Sequence, residues 1–147
     1  MFSYIFDLLP YKSSFRFVDE ISFLDADRAV GHYTLREDAF FYEDHFPGHP
    51  VTPGAILTEI MAQIGLVVLG IHLIATATTR GSLFPLLSSV NVEFHKMALP
   101  GQRLTVTSKK DYFRFNKLKC HVEMHNEAGE LIAKGIFSGF IKKIETA

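Results

Sequence analysis

The sequence is poor in the residues and patterns that bind metals, nucleotides or nucleic acids. One cysteine in 147 residues, Cys120, excludes an intramolecular disulfide framework and indicates a reducing compartment. A net charge of −1 excludes the strongly basic surface with which proteins bind nucleic acid, so we expect no such partner. The chain has no glycine-rich phosphate loop, and no nucleotide cofactor is expected.

The histidines lack the spacing of a metal site. His45 and His49 are four residues apart in a proline-rich segment, and His121 and His125 are four apart in an alternating, strand-like segment. Metal-binding pairs at this spacing need a helix that turns both rings to one face. We therefore expect structural or surface histidines and no bound metal.

The chain also lacks tryptophan, Gly/Ser-rich linkers and internal repeats, whereas 48% of its residues are hydrophobic. One domain spanning residues 1–147 is expected. The long apolar run at 55–77 contains Glu59, Gln63 and His72 and has no basic flank, so it predicts a buried core helix and no membrane span. The N-terminus lacks the basic region of a secretory signal, which predicts a cytoplasmic protein.

The order of helical and alternating patterns predicts an α+β fold. A short helix is expected at 2–9, and a long helix at 55–77 that ends at Thr79-Arg80-Gly81. Alternation and turn residues predict strands at 15–24, 28–36, 86–97, 102–113, 117–126 and 131–144. Because the connections between strands are short, neighbouring strands are expected to be antiparallel. The prediction is one antiparallel sheet wrapped around one long central helix.

The most informative segment is residues 44–65, where a histidine on a proline-rich loop precedes the central helix. The prolines restrict the loop to extended conformations. Thr52 is expected to cap the helix and Pro53 to take its first position. Within the helix, the carboxyl of Glu59 and the carboxamide of Gln63 are four residues apart and share one face. The pattern places a base and an acid on rigid elements.

The residues that carry this pattern are His45-Phe46-Pro47-Gly48-His49-Pro50-Val51-Thr52-Pro53-Gly54, Glu59, Met61, Ala62 and Gln63. They resemble the motif H-F-P-G-x-P-x-x-P-G-x-x-x-x-E-x-M-A-Q of the bacterial β-hydroxyacyl-acyl carrier protein dehydratases of fatty acid synthesis. Two further segments are similar to that family. Leu9-Pro10-Tyr11 with Phe15, Val18 and Asp19 resembles its L-P-H-R-Y-P-F-L-L-V-D, and Val92-Glu93-Phe94 with Leu99-Pro100-Gly101-Gln102-Arg103-Leu104 resembles its A-R-F…V-P-G-D-x-L. Asp44 departs from the family, which usually has glycine there, and the approach to His45 is slightly longer.

The resemblance implies the hotdog fold and the removal of water from β-hydroxyacyl chains carried on acyl carrier protein. His45 would be the base that takes the C2 proton, and Glu59 the acid that protonates the departing hydroxyl. The backbone N–H of Gly54 would bind the thioester carbonyl, and Gln63 would support the acid. Three further residues are expected to contact the substrate: Phe46, Pro53 and Phe84. No cofactor or metal is implied.

In that family, the histidine and the acid that face one substrate come from two subunits. The resemblance therefore implies a homodimer in which His45 of one chain works with Glu59 of its partner, and further assembly into a trimer of dimers. One cluster of cations has two interpretations, a solvated hairpin or a docking surface for the acidic acyl carrier protein. Its members are Lys109, Lys110, Arg114, Lys117 and Lys119.

Two other functions remain as alternatives. A hotdog thioesterase would use Glu59 to activate water and would release free acid and thiol, although the H-F-P-G-x-P pattern argues against it. A non-catalytic acyl-binding subunit of a polyketide or polyene pathway is suggested by Asp44 and the altered loop. Within the dehydratases, a sister group that also isomerises the double bond carries aspartate at the position of Glu59, so the glutamate favours plain dehydration.

Overall fold

A computed structural model describes residues 2–75 and 82–144, which form one antiparallel sheet around a central helix. The helices are α1 (Ser3–Leu8), a 3-10 turn (Ser13–Phe15), α2 (Gly54–Ala62), a π turn (Gln63–Val67) and α3 (Val68–Ile74). The strands are β1 (Glu20–Leu24), β2 (Arg28–Thr34), β3 (Ser82–Phe94), β4 (Arg103–Arg114), β5 (Lys117–His125) and β6 (Leu131–Ile144). We call α2, the π turn and α3 together the central helix, Gly54–Ile74.

The sheet has the strand order β1-β2-β4-β5-β6-β3 and buries one face against the central helix. The alternation along β5 shows this directly, because every second residue from Leu118 to Met124 is buried, including Cys120, and the residues that alternate with them are partly or fully exposed. The central helix is long and apolar enough to span a membrane, but 72% of its most apolar stretch is buried inside the protein. The sheet that covers the helix accounts for its apolar sequence. This arrangement confirms the predicted α+β hotdog architecture.

Glycine lets the central helix approach the sheet closely in the π turn. A Cβ atom added to Gly65 would lie 2.7 Å from Cγ1 of Val122 on β5. The carbonyl oxygen of the same glycine accepts a 2.6 Å hydrogen bond from the buried hydroxyl of Ser108 on β4. The wide turn is therefore held to the sheet by both packing and a hydrogen bond.

Two strands differ from the sequence prediction by three or more residues at a boundary. β1 begins at Glu20 and not at residue 15, because the backbone of Phe15 and Phe17 bonds to the side chain of Gln63 and not to a neighbouring strand. β3 begins before Pro85, because an edge strand tolerates proline. It ends at Phe94 and not at residue 97. The predicted helix end at Thr79-Arg80-Gly81 lies outside the described residues.

Candidate active site

Hydrogen bonds within the loop before the central helix fix the backbone on both sides of His45. The His45 N–H donates to the carbonyl of Phe41 at 3.0 Å, and the Val51 N–H donates to the carbonyl of His45 at 2.9 Å. Phe46 and His49 exchange two backbone hydrogen bonds, of 3.1 and 2.8 Å, around Gly48. Gly48 has φ +75°, a backbone conformation that residues other than glycine adopt only at an energetic cost. The loop is thus a set of closed turns.

The imidazole of His45 has one nitrogen engaged, and the other has no hydrogen-bond partner within residues 2–75 and 82–144. Its Nδ1 lies 2.8 Å from the carbonyl oxygen of Val51. Because a carbonyl oxygen only accepts hydrogen bonds, Nδ1 carries the proton of the neutral ring and Nε2 carries the lone pair. The ring stacks on Phe46 with centroids 4.0 Å apart, and Phe46 itself is exposed. The loop therefore presents a ring in the tautomer that a base at Nε2 requires.

The start of the central helix leaves its first amides without helical partners. The carbonyl of Pro53, the cap residue, accepts from the N–H groups of Ile56 and Leu57 at 3.0 and 3.1 Å. The predictions that Thr52 caps the helix and that Pro53 takes its first position are wrong, because the helix begins at Gly54 and Pro53 is the cap. The Thr52 hydroxyl lies 2.7 Å from the Tyr42 hydroxyl and bonds there instead. The N–H of Gly54 has no partner among the described residues.

Glycine at position 54 places no side chain beside this unpaired amide. A Cβ there would lie 3.1 Å from Cζ of Phe94, whose ring covers the helix start. The surrounding cavity has a volume of about 400 Å³ and is lined by Gly54, Thr52, Phe94 and six further residues of the loop and of the β3 end. Free amides and the positive end of a long helix favour an oxygen that gains negative charge.

The carboxyl of Glu59 and the carboxamide of Gln63 meet on one face of the central helix, as their spacing predicts. The Nε2 of Gln63 donates to Oε2 of Glu59 at 2.9 Å. Gln63 is fully buried, and it also donates to the carbonyl of Phe15 at 2.9 Å and accepts from the N–H of Phe17 at 2.8 Å. One carboxamide therefore orients the acid and holds the segment before β1.

Burial raises the pKa of Glu59 above its ordinary value of 4.5, and the hydrogen bond from Gln63 opposes part of that rise. The carboxyl lines a cavity of about 220 Å³ between the central helix and the sheet. The other lining residues are Tyr11, Phe15, Ala62, Leu66, Val67, Pro85, Leu86, Leu87, Leu118, Gly139, Phe140 and Ile141. An acid with a raised pKa in an apolar cavity is suited to donate a proton.

The cavity also shows what sequence reasoning missed. Tyr11 and the β6 residues Gly139–Ile141 reach it through contacts distant in sequence, which local periodicity does not reveal. Phe84, expected to contact substrate, lies on β3 opposite Lys142 and does not line this cavity, whereas the residues that follow it do. Within one chain, the cavity lined by Glu59 is not lined by His45.

No group of three or more His, Cys, Asp or Glu side chains is arranged to hold a metal ion within residues 2–75 and 82–144. His32, on β2, bonds to the hydroxyls of Thr105 and Ser22 at 3.0 and 2.9 Å. Burial lowers the pKa of His32, with a further contribution from the nearby cation of Arg103. These partners account for both nitrogens of that ring.

A helix wrapped by a six-stranded antiparallel sheet, with a histidine on the preceding loop and a partly buried carboxyl on the helix, defines a hotdog protein. The chain belongs to the FabA-like family, whose domain model matches residues 9–132. The resemblance found in the sequence is thereby confirmed.

Comparison with individual proteins agrees with this membership. The chain is 36% identical over 126 residues to the 3-hydroxyacyl-[acyl-carrier-protein] dehydratase FabZ of Syntrophomonas wolfei, covering 84% of this chain and 85% of that protein. It is 28% identical to FabZ of Rickettsia bellii over 141 residues, covering 94% of this chain and 93% of that one.

Solved structures share the fold at lower identity. The dehydratase heterocomplex ApeI:P from Xenorhabdus doucetiae aligns with a TM-score of 0.78 and 15% identity, over 97% of this chain and 91% of that chain. A hypothetical thioesterase from Streptococcus pneumoniae, solved with coenzyme A, aligns with a TM-score of 0.62 and 16% identity, over 86% of this chain and 88% of that chain. At such identities these structures support the fold and not an activity.

Proposed function

We propose that this chain dehydrates β-hydroxyacyl thioesters carried on acyl carrier protein to trans-2-enoyl thioesters, in fatty acid synthesis or a related pathway. The observation that carries the proposal is that the chain has one side chain suited to act as a base and one suited to act as an acid. His45 has Nδ1 bound to the Val51 carbonyl and Nε2 free, and Glu59 has a raised pKa in an apolar cavity. Relatives named FabZ, which act on such thioesters by name, support the assignment.

The reaction uses each group once. His45 Nε2 takes the proton from C2 while negative charge develops on the thioester oxygen, which the Gly54 N–H stabilises. The electron pair of the C2–H bond forms the C2–C3 double bond as the C3–O bond breaks. Glu59 gives its proton to the departing hydroxyl, which leaves as water. Gln63 holds the carboxyl of Glu59 in place. No metal or other cofactor takes part in this scheme.

The proposed assembly is a homodimer in which each site combines His45 of one chain with Glu59 of the other. Its support is the edge strand β3, whose side chains are mostly exposed and include large apolar ones such as Leu86 and Phe94. An unpaired apolar edge of this length is a surface that proteins cover. By resemblance to the dehydratase family, the proposal extends to a trimer of such dimers. Each chain is proposed to be one hotdog domain, and the protein is proposed to act in the cytoplasm.

The proposed partner is an acidic acyl carrier protein at the β4–β5 hairpin. Arg114 and Lys119 both stack over the ring of Tyr112, at 4.8 and 5.9 Å, and Lys117 lies over Phe140 at 5.7 Å. These cations lie on the outer face of the sheet at the end where Phe140 borders the cavity of Glu59. Two of the predicted cations also pair with acids of this chain, Lys119 with Asp111 at 3.8 Å and Lys110 with Asp27 at 3.4 Å.

The test follows the absorbance of enoyl thioesters during hydration, the reverse reaction. We expect turnover in wild type and losses of about 10²–10⁴ in rate for both His45→Ala and Glu59→Gln. A folded wild-type dimer that hydrates no enoyl thioester of any length would contradict the proposal.

Release of thiol from acyl-CoA and acyl carrier protein thioesters is measured in parallel. Thiol release by wild type, lost in Glu59→Gln, would assign a thioesterase instead. Carrier protein binding without turnover, retained in His45→Ala, would assign a non-catalytic acyl-binding subunit.

A further inference from the structure

Tyr11 is a polar side chain of the Glu59 cavity for which the proposed mechanism has no role. It follows α1, and its ring packs on the core with its centroid 6.2 Å from that of Phe15. It lines the same cavity as Glu59. Its hydroxyl makes no hydrogen bond to any of the described residues, 2–75 and 82–144. The dehydratase motif that this segment resembles has histidine at the same position, so the tyrosine distinguishes this chain from the motif.

Among the residues that the structure describes, the rest of the cavity offers this hydroxyl no polar side chain except Glu59. All other lining residues are apolar, from the helix residues Ala62 and Leu66 to Phe140 on β6. A phenol partly buried in such surroundings gains most from a ligand that brings an oxygen atom to it. Beyond its thioester carbonyl a saturated acyl chain brings none, whereas a β-hydroxyacyl chain carries a hydroxyl on C3, the carbon whose C–O bond breaks.

The charge state of Tyr11 decides which way its hydrogen bond runs. Burial raises the pKa of Tyr11, and the negative charge of ionised Glu59 raises it further. The phenol therefore keeps its proton at neutral pH and acts as a donor. Glu59 can transfer its proton, whereas Tyr11 only donates a hydrogen bond, so the two groups have different roles.

Resting on the proposed function, we propose that Tyr11 is a further substrate-binding residue that donates a hydrogen bond to the β-hydroxyl oxygen of the acyl chain. Two donors then converge on the departing oxygen. Glu59 transfers its proton to that oxygen, and Tyr11 holds the oxygen in position without transferring its own. Tyr11 thus selects a hydroxylated chain over a saturated one.

The experiment compares two ligands that differ only in this hydroxyl. Binding of 3-hydroxyhexanoyl-CoA and of hexanoyl-CoA is measured by calorimetry in His45→Ala, which prevents turnover, and in His45→Ala with Tyr11→Phe. We expect Tyr11→Phe to weaken the hydroxylated ligand about fivefold, the value of one net hydrogen bond, and to leave the saturated ligand unchanged. Equal weakening of both ligands, or of neither, would overturn the inference.

Tyr4→Phe is the matched control, because the Tyr4 hydroxyl bonds to Nδ1 of His72 at 2.7 Å and does not line the cavity. It should change neither affinity. Wild-type hydration of enoyl thioesters is measured first. Its absence would remove the proposed function together with the role of Tyr11, whereas turnover in wild type with an unchanged ligand preference in Tyr11→Phe would remove the role of Tyr11 alone.

Discussion

At the scale of single residues, the site depends on one side chain that serves both structure and chemistry. Gln63 donates to the carboxyl of Glu59, and its two remaining contacts hold the backbone of Phe15 and Phe17. The segment before β1 therefore cannot move without moving the acid. The Gln63 interaction also favours the ionised form of Glu59, so the raised pKa is a balance in which burial exceeds the hydrogen bond.

A partly buried acid with a raised pKa lowers stability at neutral pH, and Glu59→Gln tests this. The folded protein holds the Glu59 proton more tightly than the unfolded chain, so its free energy of unfolding falls as pH rises from about 4.5 through the folded pKa. Glutamine has no charge to desolvate. We expect Glu59→Gln to be more stable than wild type at pH 7, with a gap that closes in acid, as measured by urea denaturation across pH. A gap independent of pH would contradict the assigned shift.

At the scale of elements, the π turn is the feature that places the helix on the sheet. It occurs at Gln63–Val67, directly after the acid-bearing turn, and its glycine is pressed against Val122. π turns are uncommon and occur often at functional sites. Here the turn joins the half of the helix that carries Glu59 to the half that packs on α1 and β2 and brings Gly70 against Ile141 of β6.

Gly65→Ala measures how tight this contact is. The added Cβ would lie 2.7 and 2.8 Å from the two Cγ atoms of Val122, so we expect a loss of about 2 kcal/mol although alanine is the better helix former. Val122→Ala removes both of those atoms. In a double-mutant cycle by thermal or urea unfolding, Gly65→Ala should therefore be much less harmful in Val122→Ala than in wild type. Equal losses in the two backgrounds would show that the strain lies elsewhere.

How far the sequence predicts the fold and the site follows from whether the governing contacts are local. The His45 loop, the helix that carries Glu59 and Gln63, and the β4 to β6 hairpins follow from proline positions, i to i+4 spacing and alternation. The capture of the Phe15–Phe17 backbone by Gln63 joins residues 46 and 48 positions apart, so alternation wrongly extended β1. The same holds for Tyr11, which reaches the cavity only through the tertiary fold.

At the scale of the whole molecule, the proposed dimer buries the edge strand β3, whose side chains are mostly exposed in one chain. Val90 on β3 and Ile136 on the outer face of β6 are similarly exposed in one chain, at 36% and 38%. In the proposed dimer Val90 becomes buried and Ile136 does not. A lysine at position 90 would have to lose the hydration of its charge on dimerisation, so Val90→Lys should give a folded monomer. Ile136→Lys should remain a dimer. Light scattering after gel filtration measures both, and a dimeric Val90→Lys would exclude this edge as the interface.

A site shared between subunits makes a quantitative prediction for mixed dimers. His45→Ala and Glu59→Gln are each inactive alone, but a dimer with one chain of each kind holds one site with an intact His45 and an intact Glu59, and one site with neither. Unfolding and refolding equal amounts together gives half mixed dimers, so about a quarter of wild-type hydration activity should return. The control is each variant refolded alone, which should stay inactive. If the two residues acted within one chain, every site would lack one of them and mixing would restore nothing.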